Sequence, residues 1–174
     1  MKREIRLVEV LLMAGLGLIF LFMLFHDWVP MGSLNDVEAV KAHQGVSQLV
    51  LVTAFNAAQI AVLMGLVLLY AGRRYPLWAR LWLIIHQGFI LYGAIKAWWL
   101  PYLFGIGAAE RIESYHAMFG NTHAFLPMNN GIVPNTIHVL FHATLVLCLI
   151  LTVYISLTQP KKQPKMQAAG TAVA

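Results

Sequence analysis

The chain has 174 residues, of which 60% are hydrophobic and only 11% charged, with a mean hydropathy of +0.71. A water-soluble domain of this length needs far more charge to cover its surface, so that class is excluded. The formal charge of +5 does not point to nucleic acid, because the basic residues are segregated along the chain rather than gathered in a patch.

The first element is an apolar run over 7–25, preceded by Lys2, Arg3 and Arg6. Its layout is that of a signal peptide. However, the run is longer than the roughly 7–15 residues usual there, and no small-residue cleavage site follows, so it reads as a retained span. Within it, Glu9 sits near enough to the membrane edge to snorkel or pair with Arg6, and Gly15 and Gly17 suit close helix packing. A loop over 26–45 comes next. Asn35-Asp36-Val37-Glu38 predicts a helix start there, with Asn35 as the cap, and Gly45 marks a break before the second run over 47–70. After a tight turn at 71–76 comes the third run, 77–100, whose far end carries an aromatic belt of Trp98, Trp99 and Tyr102. The second long loop, 102–131, is rich in aromatic and histidine residues, and an amphipathic helix over 108–119 is predicted in it. Ile112, Tyr115 and Phe119 share one face of that helix, which suits a position on the membrane surface over the bundle mouth. The fourth run covers 133–157. From residue 159 the chain is polar, then rich in small residues, and is predicted to be disordered.

Each run is long enough to cross a bilayer, which takes about 20 residues of helix. Pro76, Pro101 and Pro134 fall at edges, so each run is expected to be one continuous helix. Nine of the twelve basic residues then lie on one side, leaving Lys41, Lys96 and Arg111 on the other. The positive-inside rule puts both termini and the middle turn in the cytoplasm. The expected fold is an all-α membrane protein. Residues 1–158 form one antiparallel bundle of four transmembrane helices with two structured outer loops, and 159–174 form a cytoplasmic tail. The expected location is a cell (inner) membrane, with the lipid bilayer as partner, no nucleic acid, and a homo-oligomer as a further candidate.

Cys148 is the only cysteine and lies inside the fourth run, so neither an internal disulfide nor a C-x-x-C pair can form. This excludes the thiol relay of four-helix membrane oxidoreductases of the disulfide-forming and vitamin-K-epoxide-reducing kinds. The histidines are the least ordinary feature. Six of seven (His26, His43, His116, His123, His138 and His142) fall in the outer loops or the outer half of the fourth run. His138 and His142 stack one turn apart, and Asn135 continues their face outward. Such a pair suits a transition metal, with Asp27, Asp36 or Glu38 as carboxylate donors; the plainer reading is bonding to headgroups, water or loop backbone. Both rings are expected to face inward, leaving Val139, Leu140, Leu145 and Leu147 to lipid. Haem is disfavoured, since His86 and His142 differ in depth by roughly 10 Å; among His26, His43 and His138 the depths match better.

A second constellation lies in the second run. Gln48, Asn56 and Gln59 share one side, with His86 and Gln87 as partners at similar depth. Interhelical hydrogen bonds and a polar path are both open readings. Lys96 is expected to snorkel outward, with headgroup or ligand binding as its lesser role. The leading functional expectation is a histidine-lined polar site at the outer face, binding a metal ion or a small amphipathic ligand. The rivals are a transporter or channel subunit working as an oligomer, and a membrane enzyme acting on a lipid or quinone.

Overall fold

The computed structural model describes residues 4–159, which are helical except for turns and loops and contain no strand. The basic residues Lys2, Arg3, Lys161, Lys162 and Lys165, and the tail predicted to be disordered, lie outside the described residues apart from Gln159. Three helices are long and apolar enough to cross a membrane: α1 (Leu7–Phe25), α3 (Val46–Tyr70) and α7 (Thr136–Leu157). A further long helix, α4 (Leu77–Ala94), carries Arg80, His86 and Gln87 and is less apolar. Helix α1 packs against both α3 and α7, and α7 against α4, whereas α3 and α4 touch little.

Packing follows the apolar faces. Leu12, Leu16, Ile60, Leu63, Leu83 and Cys148 form one buried core where these helices meet. Leu145, expected to face lipid, is fully buried in that core instead. It lies three residues beyond His142 and seven beyond His138, which puts it on the same inward face. Gly15 is needed where it stands: a Cβ there would come within 2.5 Å of Cys148 Sγ. Gly17 meets nothing within 4 Å, so close packing accounts for only one of the two. Glu9 is buried and accepts the Arg6 backbone N–H at 2.9 Å, an N-terminal capping role.

At the end of the bundle that carries the 71–76 turn, side chains close the helix ends. Arg6 donates to the Thr158 carbonyl at 3.1 Å and to its hydroxyl at 2.8 Å, and Arg80 donates to the Ser156 carbonyl at 3.0 Å. Both cations meet the negative end of the α7 dipole.

The other end carries the loops. Helix α2 (Val37–Gln44) is capped by Asp36, which accepts from Ala39 N at 3.0 Å. Asn35 does not cap. Its side chain accepts from Met31 N and donates to the carbonyls of His26 and Val29, holding the preceding turn. Gly45, with φ of +79°, makes the break between α2 and α3 in a conformation that L side chains rarely adopt.

The third run is not one regular helix. After α4 comes a π-helical turn (Ile95–Trp99), then α5 (Leu100–Phe104). Pro101 supplies the cause. It has no N–H for the carbonyl of Ala97, and its ring crowds that carbonyl, so the helix widens. Helix α6 (Ile112–Phe119) begins four residues later than expected and packs against α2. Its Tyr115 hydroxyl donates to Ala97 O at 2.8 Å, giving the carbonyl that Pro101 cannot serve a partner. Tyr115 and Phe119 face the bundle as expected, but Ile112 is exposed and Met118 is buried instead.

Candidate functional site at the loop end of the bundle

Four helices and the two loop helices enclose a cavity of about 330 Å³ at the loop end. Its polar wall is His26, Asp27, Gln44, Asn56, His138 and His142; its apolar wall includes Phe22 and Trp98.

Helix α7 contributes two imidazoles. Asn135 caps the helix, accepting the His138 backbone N–H at 3.3 Å, and the same Oδ1 lies 2.6 Å from His138 Nδ1. An oxygen that already accepts the cap bond can only accept from the ring as well, so His138 Nδ1 carries the proton and Nε2 holds a lone pair. At His142 the logic reverses. The Trp99 indole N–H, which can only donate, lies 3.2 Å from His142 Nδ1. That nitrogen is therefore unprotonated, and the neutral ring carries its hydrogen on Nε2. Neither Nε2 has a hydrogen-bond partner among the described residues, and both side chains line the cavity. The two imidazoles, one turn apart with ring centres 6.3 Å apart and planes tilted by 54°, thus carry opposite unpaired groups beside one cavity: an acceptor at His138 and a donor at His142.

The π-helical turn makes the second of these contacts available. Consecutive residues on a regular helix project about 100° apart, yet Trp98 and Trp99 both meet α7. Trp98 lies 4.7 Å from His138 and Trp99 6.0 Å from His142, centre to centre. Phe119 of α6 covers His138 from above at 5.1 Å.

From the end of α1, His26 stacks on Phe22 at 4.0 Å and lies 5.7 Å from His138. Its Nδ1 donates to the Phe22 carbonyl at 2.8 Å, which turns Nε2 toward Asp27 Oδ2 at 3.0 Å. That second contact needs one proton between the two groups. Burial lowers the His26 pKa from its ordinary 6.5, opposed by the charge of Asp27; burial raises that of Asp27, opposed by His26. Burial also raises the Tyr115 pKa, keeping its hydroxyl a donor to Ala97.

The structure therefore brings Asn135, His138 and His142 together with His26 and Asp27. It does not bring in the rest of the expected set. His43 and Lys96 are exposed and do not line the cavity. His123 is exposed and contacts the Thr136 hydroxyl at 2.8 Å, while its backbone ties the loop over 26–45 to the start of α7 through Ser33 O and Thr136 N. His116 borders a separate pocket of about 40 Å³ beside Tyr115 and Phe119. Of the other carboxylates, Asp36 caps α2 and Glu38 pairs with Lys41 at 3.1 Å. Among the described residues, no group of three His, Cys, Asp or Glu side chains converges as a metal shell.

The mid-bundle constellation divides. His86 Nε2 lies 3.1 Å from Gln59 Oε1, and Gln59 Nε2 donates to Asn56 Oδ1 at 3.4 Å. Asn56 in turn lines the cavity. Gln48 is exposed and takes no part. Gln87 points the other way: fully buried, it donates to Thr152 Oγ1 at 2.9 Å and to the Leu83 carbonyl.

Sequence reasoning had no place for Trp98 and Trp99 in the site, treating both as interface anchors. The signal was Pro101, four residues after Ala97, which marks a disturbed turn where the two tryptophans sit. Comparison with protein-family models, curated proteins and solved structures gives no match, so the reading of this site rests on its own geometry.

Proposed function

We propose that this chain is a four-span membrane protein with both termini cytoplasmic, and that its outward cavity binds a small amphipathic ligand taken from the bilayer. One observation carries the reading: imidazole and carboxylate groups meet aromatic and aliphatic walls in a single cavity of about 330 Å³. Ligand sites have that character, mostly apolar with a few convergent polar groups. The wall toward α4 is built from Ile90 and then Gly93, Ala94 and Ala97. Small side chains there, and the loose contact between α3 and α4, favour entry from the side. For the fourth span, the helical stretch from Leu77 to Phe104 amounts to roughly 40 Å, more than the roughly 30 Å of a hydrocarbon core. The nine-to-three division of basic residues supports the orientation. Reporter fusions after Arg74 are expected to read cytoplasmic, and those near Asp36 and Met118 external. A cytoplasmic signal from Met118 overturns the arrangement.

An organic ligand is favoured over a metal ion. Two imidazoles chelate through two lone pairs, and at His142 the free nitrogen carries a hydrogen for as long as the Trp99 bond holds. Solvent extraction and mass spectrometry of the purified protein should detect a retained amphiphile, and Ala97→Phe, which fills the cavity, should lose it. Elemental analysis is the counter-test. A stoichiometric metal that His138→Ala with His142→Ala removes would replace this reading with a metal site.

A transport reading has one specific observation behind it, the chain from His86 through Gln59 to Asn56 and the cavity. Gln59→Leu distinguishes the two. Loss of flux with a stable fold indicates a path; a loss of about 0.6 kcal/mol per broken bond without any flux defect indicates helix pairing.

A further inference from the structure

The opposite tautomers of His138 and His142 restrict which headgroup the cavity accepts. A lone pair and an N–H, presented by rings 6.3 Å apart, complement one group above others: a hydroxyl, which donates and accepts at a single oxygen. One hydroxyl oxygen can hold hydrogen bonds of about 2.8–3.0 Å to a donor and an acceptor at once. A ketone, ether or ester oxygen accepts only and sets its lone pairs against that of His138. A carboxylate does the same and must also shed its hydration. An ammonium donates only and meets the N–H of His142. Around the pair stand the rings of Phe22, Trp98, Phe119 and Phe141, with the His26 imidazole, bonded to Asp27, 5.7 Å from His138.

We infer that the cavity selects a neutral, hydroxyl-bearing aromatic amphiphile, whose hydroxyl donates to His138 Nε2 and accepts from His142 Nε2. This rests on the amphipathic-ligand reading above and narrows it to one headgroup class. Asn135 and Trp99 are positioning residues here. They touch no ligand, but each fixes which nitrogen of its histidine carries the hydrogen.

The test uses the full chain in lipid nanodiscs with 4-octylphenol, its methyl ether and octylbenzene, each corrected for partition into protein-free nanodiscs. 4-Octylphenol is expected to bind about tenfold more tightly than the ether, the worth of one neutral hydrogen bond plus an unsatisfied acceptor. Octylbenzene should bind more weakly still. Equal binding of phenol and ether overturns the headgroup inference while leaving an amphiphile site standing. No binding by any of the three overturns the amphiphile site itself. p-Cresol, which lacks the long tail, separates a bilayer source from a water-borne one: binding as tight as that of octylphenol overturns the amphiphile requirement. Asn135→Ala frees His138 to adopt either tautomer, so that its Nε2–H can meet the ether oxygen, and the preference for phenol over ether should fall to about twofold or less. A merely structural Asn135 would weaken all three probes alike and leave the ratio unchanged, and that result counts against the inference. Should Asn135→Ala fail to fold, His138→Phe removes the acceptor directly, and the same collapse of the ratio is expected; an unchanged ratio there overturns the proposal.

Discussion

At the turn end of the bundle, polar groups are few and serve to finish helices. Arg6 and Arg80 reach the last carbonyls of α7, and the core above them, from Leu12 to Ile155, is largely aliphatic, with Tyr75 and the buried Gln87–Thr152 hydrogen bond set into it. At the loop end, imidazoles, indoles and a carboxylate replace that filling, around space the protein leaves open. The helix order is the same at both ends, so the contrast comes from side chains and from one backbone disturbance. The turn end also carries a groove of about 350 Å³ between α1 and α3, but its lining is aliphatic apart from Glu9, and the core beside it is closely packed, tolerating neither voids nor additions cheaply. The open end forgoes that packing and must hold its polar groups in place by other means: a cap, an indole bond and a backbone carbonyl. The stability of the molecule and its capacity to bind are therefore expected to reside at different ends and to respond to different substitutions.

The largest effect expected from that separation is at the packed end. Leu63 is fully buried in the core, and Leu63→Ala should cost about 2–5 kcal/mol in denaturant-titrated unfolding. Binding to the protein that remains folded should be unchanged. A matching loss of affinity in the folded fraction would show that the two ends are coupled. Gly15→Ala comes next, at about 1–3 kcal/mol for an overpacked contact, because the new methyl would sit 2.5 Å from Cys148 Sγ. Cys148→Ala in the same chain should recover most of that loss. Additive effects in the double-mutant cycle would mean that the two positions do not meet.

Much of the packed end can be read from the sequence, because hydropathy runs and helical periodicity mark long apolar helices without knowledge of their neighbours. The inward direction of His138 and His142 is also legible, since an imidazole facing hydrocarbon has no partner. The remaining members of the site are not legible in this way. His26 and Asp27 reach the pair only because α1 packs on α7, a fact of assembly that no spacing along the chain encodes. His43, His116 and His123 share the composition of the site yet fold onto the outside of the loops. The choice of cap shows the same limit at short range. Asn35 and Asp36 are both good capping residues, and the one that caps is decided by Asn35 being used to hold the turn behind it.

At the loop end the backbone disturbance can be tested directly. Tyr115→Phe removes the side-chain donor to Ala97 O, while leaving the ring against Trp98 at 4.5 Å. A loss of about 1 kcal/mol is expected, with faster proteolysis of the loop over 102–131 as α6 loosens. Unchanged stability together with unchanged protease sensitivity would mean that α6 is held by its apolar contacts alone.

The smallest expected effect is a change of slope. His26 and Asp27 share a contact that needs one proton, and both are largely buried. The His26 pKa lies below 6.5 because of burial, so below that pH the unfolded chain binds a proton that the folded chain resists. Acidification through 6.5 therefore costs stability. The Asp27 pKa is raised above 3.8, again by burial, so the folded chain holds its proton to higher pH than the unfolded one. That contribution favours the fold as pH falls through the raised value, and it is lost as pH rises. The two slopes oppose each other in the wild type. Asp27→Asn removes the second and also removes the anion that supports the His26 charge, while its amide N–H still donates to Nε2. The variant should be at least as stable as the wild type near pH 7.5, and should lose stability more steeply between about pH 6.5 and 4.5. Unfolding midpoints measured at half-unit steps for both proteins decide the matter. Parallel curves would show that the two side chains titrate independently, and the shared proton would have to be abandoned.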